Sequence, residues 1–250
     1  MSGHSKWSSI KHKKAVKDAR RGKLFTKLIK EISVAARLGG SDINANPRLR
    51  TAVTTARENS MPNENIDRAI KKGTGELEGV HYEEISYEGY GPGGAAIMAS
   101  ALTDNRNRTV SELRRIFEKH SGNMGAAGCV AWMFHKRGVI TVEKTKADED
   151  RIMEVALEAG ADDVSDAIDS YEILTAPDTF EAVKAAIDAA KIERASAEVA
   201  MVPENTVSLT GKEAEQTLKL LEELEEHDDI QSVASNVDIP QDELERLSAA

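Results

Sequence analysis

A chain of 250 residues, 40% hydrophobic and 30% charged, has enough apolar material for two or three cores and too much to remain disordered. No stretch approaches the roughly 18 apolar residues that cross a bilayer, no apolar segment follows the N-terminal cations to make a secretory signal, and the one cysteine, Cys129, excludes an intramolecular disulfide and favours a reducing cytoplasm. The net charge of −10 hides a polarised molecule: up to Lys72 there are seventeen Lys/Arg against six Asp/Glu, and beyond it sixteen against thirty-seven.

The first thirty residues carry ten of those cations (Lys6, Lys11, Lys13, Lys14, Lys17, Arg20, Arg21, Lys23, Lys27 and Lys30) against one acid, Asp18. Leu24, Leu28, Ile32 and Ala35 repeat at helical spacing and predict a helix over 22–38, ended by Gly39-Gly40. Asn46-Pro47 opens a second helix that buries Leu49, Ala52, Val53 and Ala56. Pro62 opens a third, with Gly73 expected to stop it and 73–76 expected to be a linker.

From His81 the period changes. Strands are predicted over 84–88 and 95–102, joined by the glycine-rich turn 89–94, which lacks the Gly-Lys-Ser/Thr and following helix of a phosphate-cradling loop. A capping box, Thr109-x-x-Glu112, is expected to open a helix, and 130–134 reads as an apolar strand holding Cys129 at its edge. Between Gly138 and Met201 the order is strand, helix, strand, strand, helix, strand, the βαββαβ pattern of a ferredoxin-like unit. A helix capped by Thr210 and a strand over 230–237 follow, and the tail from Asp238 is expected to fray. The class is α+β with three domains, one small all-α and two α+β. They are a basic arm plus three-helix domain over 1–78, a discontinuous middle domain over 79–136 and 203–250, and a ferredoxin-like domain over 137–202 inserted into it.

The basic arm is the strongest functional signal. On a helix its cations point in many directions, which suits phosphates, contacts that position without reading sequence, better than base edges read from a single helix face. Trp7, at the head of the arm, can stack on a base or dock on the helices. Arg106 and Arg108 precede the expected Thr109 cap, where the helix dipole disfavours cations, so a phosphate would be welcomed by both arginines and by the free N–H groups; an acid such as Glu88 or Asp104 is the competing partner. The expected nucleic-acid contacts are therefore Lys6, Trp7, Lys11, Lys13, Lys14, Lys17, Arg20, Arg21, Lys23, Lys27, Arg106 and Arg108. The ferredoxin-like unit shares a topology with RNA-recognition modules, but Lys144–Asn205 holds six cations against sixteen acids and its middle strand offers only Tyr171 for stacking. The six histidines are scattered without metal-ligand spacing, and no nucleophile or zinc motif is present, so neither catalysis nor a cofactor is expected.

The runs Gly3-His4-Ser5-Lys6-Trp7, Arg21-Gly22-Lys23, Arg48-Leu49-Arg50, Met61-Pro62, Arg68-Ala69-Ile70-Lys71-Lys72-Gly73, Tyr87-Glu88-Gly89-Tyr90-Gly91-Pro92-Gly93-Gly94 and Leu102-Thr103-Asp104-Asn105-Arg106-Asn107-Arg108-Thr109-Val110 make the chain resemble the YebC family. It departs from that pattern at Asp42-Ile43, Ser60 and Cys129, none of them a proposed contact. The resemblance implies one helical and two α+β domains and a cytoplasmic, DNA-binding transcriptional regulator. A mitochondrial relative activates translation of a cytochrome oxidase subunit, which implies the alternative of a translation factor acting on ribosomal or transfer RNA at the ribosome. The first of these runs starts directly after Met1-Ser2, so a bacterial-type member without an organellar leader is expected. The expected partner is nucleic acid, DNA or ribosomal or transfer RNA, and not a membrane.

Overall fold

The computed structural model describes residues 17–167 and 169–248. Three helices come first: α1 (Lys17–Gly39), α2 (Pro47–Glu58) and α3 (Asn63–Thr74). The second starts as its sequence dictates, with the Asn46 side chain accepting from the Leu49 N–H at 3.1 Å and Pro47 in the first turn. Leu28, Ile32, Leu49, Val53 and Ile66 close a core among the three. Gly73 does not stop α3. The helix runs one residue further, and Gly75 ends it in a left-handed conformation, φ 83°. Gly73 instead lies where α3 crosses α1, and a Cβ there would collide with the carbonyl oxygen of Ser33. The glycine serves close helix approach, a requirement that comes from packing.

The chain then forms β1 (Glu83–Tyr90), β2 (Ala96–Thr103), α4 (Arg106–Lys119) and β3 (Asn123–Met124). A second sheet follows from β4 (Phe134–Glu143), α5 (Glu149–Glu158), β5 (Asp163–Asp166), β6 (Ser170–Thr175), α6 (Phe180–Ala189) and β7 (Ser196–Pro203). The chain closes with β8 (Val207–Ser208), α7 (Gly211–Glu226), β9 (Ile230–Ser235), β10 (Val237–Asp238) and α8 (Gln241–Ser248). The first sheet has the order β3-β1-β2-β9, antiparallel throughout, so its fourth strand arrives only after the whole second sheet has been made. Helices α4 and α7 cover one face of it, packing Leu113, Phe117, Leu220 and Leu224 on Tyr87, Ile97 and Ala99. The second sheet is also antiparallel, in the order β5-β6-β4-β7, with α5 and α6 on one face over Ile140, Val142, Tyr171 and Ile173. That is the ferredoxin-like arrangement, and the chain is α+β. No described helix is long and apolar enough to cross a membrane.

Three local expectations give way to tertiary contacts. The helix expected from a Thr109 cap starts at Arg106, because Asn105 is the cap and accepts the Arg108 N–H at 3.1 Å; Thr109 is buried inside the first turn. The strand expected over 130–134 is a loop and a short 3₁₀ turn, Ala131–Met133, leading into β4. Two N–H groups of that segment, those of Val130 and Ala131, are taken at 2.8 Å each by the buried carboxylate of Glu88, which also accepts from Gly128 at 2.7 Å. Burial opposes ionisation of Glu88, but those three donors outweigh it and hold the carboxyl below its ordinary range. Cys129 is half-buried in this loop, where desolvation and the nearby Glu88 charge push its thiol up and away from thiolate reactivity. The tail does not fray at Asp238: α8 lays Leu244 and Leu247 against Ala95, Leu209, Val237 and Ile239.

We propose that the second sheet with its two helices is an independent folding unit. Its core draws on its own strands and helices, so a fragment spanning residues 134–203 is expected to show mixed α/β circular dichroism and a cooperative thermal transition. A fragment without a transition would mean that the unit needs the first sheet beneath it.

Candidate nucleic-acid interface

Lys6, Trp7, Lys11, Lys13 and Lys14 lie outside the described residues. Lys17, Arg20 and Arg21 fall on the first turns of α1. The remaining expected contacts divide into those the protein uses internally and those it leaves open. Lys23 and Lys27 belong to the first group. With Lys30 they stand at i, i+4 and i+7 on one side of α1 and reach the C-terminal end of α7, 198 to 203 residues away in sequence. Lys23 Nζ donates to the Glu226 carbonyl at 3.1 Å, Lys27 Nζ to the Glu225 carbonyl at 2.7 Å, and Lys30 Nζ to the Asp228 carbonyl at 3.0 Å. The last turn of α7 contains no basic residue of its own. Its orphan carbonyls and partial negative charge are satisfied by cations lent from another helix.

Lys30 goes further. Its ammonium is buried and pairs with Oδ1 of the equally buried Asp229 at 2.7 Å, and its third proton is directed at the Leu102 carbonyl, 3.4 Å away. The ring of Tyr82 covers the ammonium at 5.4 Å. The other carboxylate oxygen, Oδ2, accepts from Arg108 Nη2 at 2.7 Å and from the Thr109 hydroxyl at 2.8 Å. An ionised carboxylate only accepts, so Thr109 donates to Asp229 and receives its own hydrogen bond from Thr103 Oγ1, 2.7 Å away, which in turn accepts the Asn105 N–H at 2.9 Å. The helix N-terminus, the loop before it and α1 are thus wired to one carboxylate. Burial alone would raise the pKa of Asp229, but Lys30, Arg108 and Thr109 drive it far below the ordinary carboxylate range.

Arg106 and Arg108, grouped by sequence, therefore part. Arg108 is bound to Asp229 and, at 2.9 Å, to Asp104. The unfavourable helix-end position is offset by acids, one of them contributed from the distant end of the chain. Arg106 is exposed and makes no hydrogen bond or ion pair among the described residues. Two further arginines, absent from the sequence expectation, join the units. Arg48 forks onto both oxygens of Glu31 at 2.6 and 3.0 Å and reaches Glu84 of β1 at 2.8 Å. Arg194, ahead of β7, meets Asp188 at 3.0 Å and Glu58 of α2 at 3.4 Å. Nothing in the local pattern distinguishes these arginines from solvated ones, since both ties depend on acids brought from other units.

What remains open is an outward cationic surface on the helical unit. Arg57 on α2 and Arg68, Lys71 and Lys72 on α3 are exposed, with no side-chain hydrogen bond or ion pair among the described residues; Arg50 spends one donor on the Asn44 carbonyl at 3.3 Å. Arg68, Lys71 and Lys72 stand at i, i+3 and i+4, one stripe of the α3 surface. Free guanidinium and ammonium groups on such a stripe bind phosphate without reading bases. One titratable cluster also assembles: Glu112, His227 and Asp229 bring ligand atoms within 4.8 Å of one another. It has no deficit for a metal to fill, because Lys30 and Arg108 already neutralise Asp229 and His227 Nδ1 accepts the Asp229 N–H at 3.1 Å.

Residues 5–76 match the family model described as the TACO1/YebC protein N-terminal domain, and residues 82–237 match TACO1/YebC second and third domain. A protein of Desulforapulum autotrophicum is 61% identical over 96% of this chain and 97% of its own length, and one of Desulfatibacillum aliphaticivorans is 59% identical over 98% and 99%. A third, from Geobacter sulfurreducens, is 58% identical over 99% of this chain and 100% of its own. Each is named a probable transcriptional regulatory protein. The crystal structure of a conserved hypothetical protein of Aquifex aeolicus superposes with a TM-score of 0.82 at 48% identity, covering 90% of this chain and 93% of that one.

The buried pair makes a sharp distinction between neighbouring cations. Asp229→Ala strands the Lys30 ammonium and is expected to cost about 3 kcal/mol or more, whereas Arg108→Ala removes a half-exposed partner and should cost about 1 kcal/mol or less. Arg106→Ala should leave stability within about 0.5 kcal/mol of the parent. Because the Asp229 carboxyl is depressed in the folded state, its contribution is fully present above the unfolded pKa of about 3.9 and is lost only as pH falls through the lower folded value. Urea unfolding of the three variants at neutral pH and in acid checks both statements.

Proposed function

The chain belongs to the TACO1/YebC family, and we propose that it is a non-enzymatic regulator of gene expression that binds nucleic acid through phosphate contacts. The observation that carries this reading is the division of the cations. Lys23, Lys27, Lys30, Arg48 and Arg108 are consumed in holding the units together, yet Arg57, Arg68, Lys71 and Lys72 stay exposed without an acid on the same unit that carries the lysine-rich arm. Such charges repel one another, and a polyanion relieves that cost. The arm residues Lys6, Lys11, Lys13, Lys14, Lys17, Arg20 and Arg21, with Trp7 and the open Arg106, are assigned to the same contact. Lys23, Lys27 and Arg108 support it indirectly, by fixing the platform. The name shared by the relatives supports transcription as the level of regulation, and duplex DNA is the partner proposed with it.

A second reading, a ribosome-associated translation factor held on ribosomal or transfer RNA, is favoured by one feature of the structure. Arg194 ties the acid-rich ferredoxin-like unit directly to α2 of the helical unit. A long duplex lying over the cationic stripe would run beside sixteen acids matched by six cations between Lys144 and Asn205. Folded RNA, with phosphates presented locally among protein surfaces, avoids that repulsion.

Phosphate binding predicts a steep salt dependence, with a log–log slope of about −0.9 per duplex phosphate neutralised. Changing Arg68, Lys71 and Lys72 to Ala should flatten the slope and weaken unrelated sequences about equally, and so should changing Lys11, Lys13, Lys14 and Lys17. Filter binding across a salt series provides the measurement, and slopes identical to the parent in both variants would reject the interface. Sedimentation of cell extract through a sucrose gradient separates the two readings: migration with ribosomes supports the RNA partner, and migration at the top with tight promoter binding supports the DNA partner.

A further inference from the structure

The face of the ferredoxin-like sheet turned away from α5 and α6 carries an unmet demand for positive charge. Alternation along the strands puts Tyr171 and Ile173 against the helices and therefore Ser170 and Glu172 on the opposite face. The register extends this into a polar row across all four strands, Ser165 beside Glu172, then Thr141, then Ser196. In the adjacent row Asp163 and Glu198 occupy the two edge strands, with Leu174 and Val139 between them. Glu172 is only 1% exposed and Ser170 4%, yet neither carboxylate oxygen of Glu172 nor the Ser170 hydroxyl has a hydrogen-bond partner among the described residues. Nor do Asp163, Glu172 and Glu198 form an ion pair with any described Lys, Arg or His. Desolvation pushes the Glu172 carboxyl up to about 7. A buried carboxylate lacking a partner is costly unless a cation or donor reaches it.

We propose that this face is a docking surface for the chain's own basic segment, residues 1–16. That segment contains Lys6, Lys11, Lys13 and Lys14 and no Asp or Glu, so its charge complements a face whose acids lack cations. It is attached to the start of α1, and sixteen extended residues reach about 50 Å, well beyond the roughly 35 Å length of α1 itself. The helical unit already touches the ferredoxin-like unit through Arg194 and Glu58, so the segment need not leave the molecule to find the sheet. An RNA-recognition module would present aromatic rings on this face; here it presents hydroxyls and carboxylates, which repel phosphate and attract ammonium. The contact shields the arm with the protein's own acids, and a polyanion would have to displace it. The inference holds whether or not the arm binds nucleic acid.

Limited trypsin digestion of the full chain tests it, because trypsin cuts after each lysine of the arm. Docking predicts that cleavage at Lys6, Lys11, Lys13 and Lys14 is at least about tenfold slower than in a synthetic peptide of residues 1–16, since proteolysis tracks the undocked population. Glu172→Gln, nearly isosteric and relieved of a buried charge, should fold at least as stably as the parent and accelerate cleavage several-fold. The rim variant Asp163→Lys/Glu198→Lys, on exposed positions, should do the same with folding undisturbed. Arm cleavage in the parent as fast as in the free peptide, or protection unchanged in both variants, would overturn the assignment. Protection that rises with protein concentration would transfer the arm to a second copy and likewise overturn the intrachain contact.

Discussion

One carboxylate organises the relation between the helical unit and the first sheet. Asp229 sits between α7 and β9 and collects Lys30 from α1, Arg108 from the first turn of α4, and Thr109 from the same turn. A buried charge with a single partner rarely repays its desolvation. Here Asp229 receives three donors, and Lys30 in turn reaches the Asp228 and Leu102 carbonyls. Every strong charge in the cluster is answered, so the cluster specifies one docking geometry: α1 cannot slide by a turn without exposing Lys30 and stranding Asp229.

Around that point the protein repeats a single device, a cation from one unit placed where another unit has unbalanced negative charge. Lys23 and Lys27 meet the free carbonyls of α7. Arg48 bridges Glu31 and Glu84, and Arg194 bridges Asp188 and Glu58. These ties set the cations of one unit against acids and carbonyls of another at fixed positions. The attraction is channelled into a few geometrically fixed pairs, and Arg57, Arg68, Lys71 and Lys72 stay exposed outside them. The proposed phosphate contact uses those exposed cations, and their orientation rests on the pairs.

The ferredoxin-like unit shows the same economy on the acidic side. Its helix-covered face is an ordinary apolar core. Its opposite face keeps a carboxylate, Glu172, in a place where a hydrophobic residue would be more stable. The proposed docking of the lysine-rich segment would supply that carboxylate with the cation it lacks among the described residues.

Local pattern determined much of this protein. Helical spacing from Leu24 to Ala35, the Asn46-Pro47 start, the change to strand alternation after His81 and the βαββαβ order beyond Gly138 all follow from periodicities that each segment holds within itself, and the charge asymmetry that points to a polyanion is a property of composition. Tertiary structure decided what depends on residues distant in sequence. Gly73 reads as a helix stop until α1 is laid across it, and Val130–Phe134 reads as a strand until Glu88 takes two of its N–H groups. The cations show the limit best: Arg106 and Arg108 are indistinguishable in sequence, and so are Lys27 and Lys71. Only the arrival of Asp229 and of the α7 carbonyls, about 120 and 200 residues further along the chain, divides them into structural and free. Electrostatic partners act through space at a few ångströms, and spacing along a chain carries no record of them.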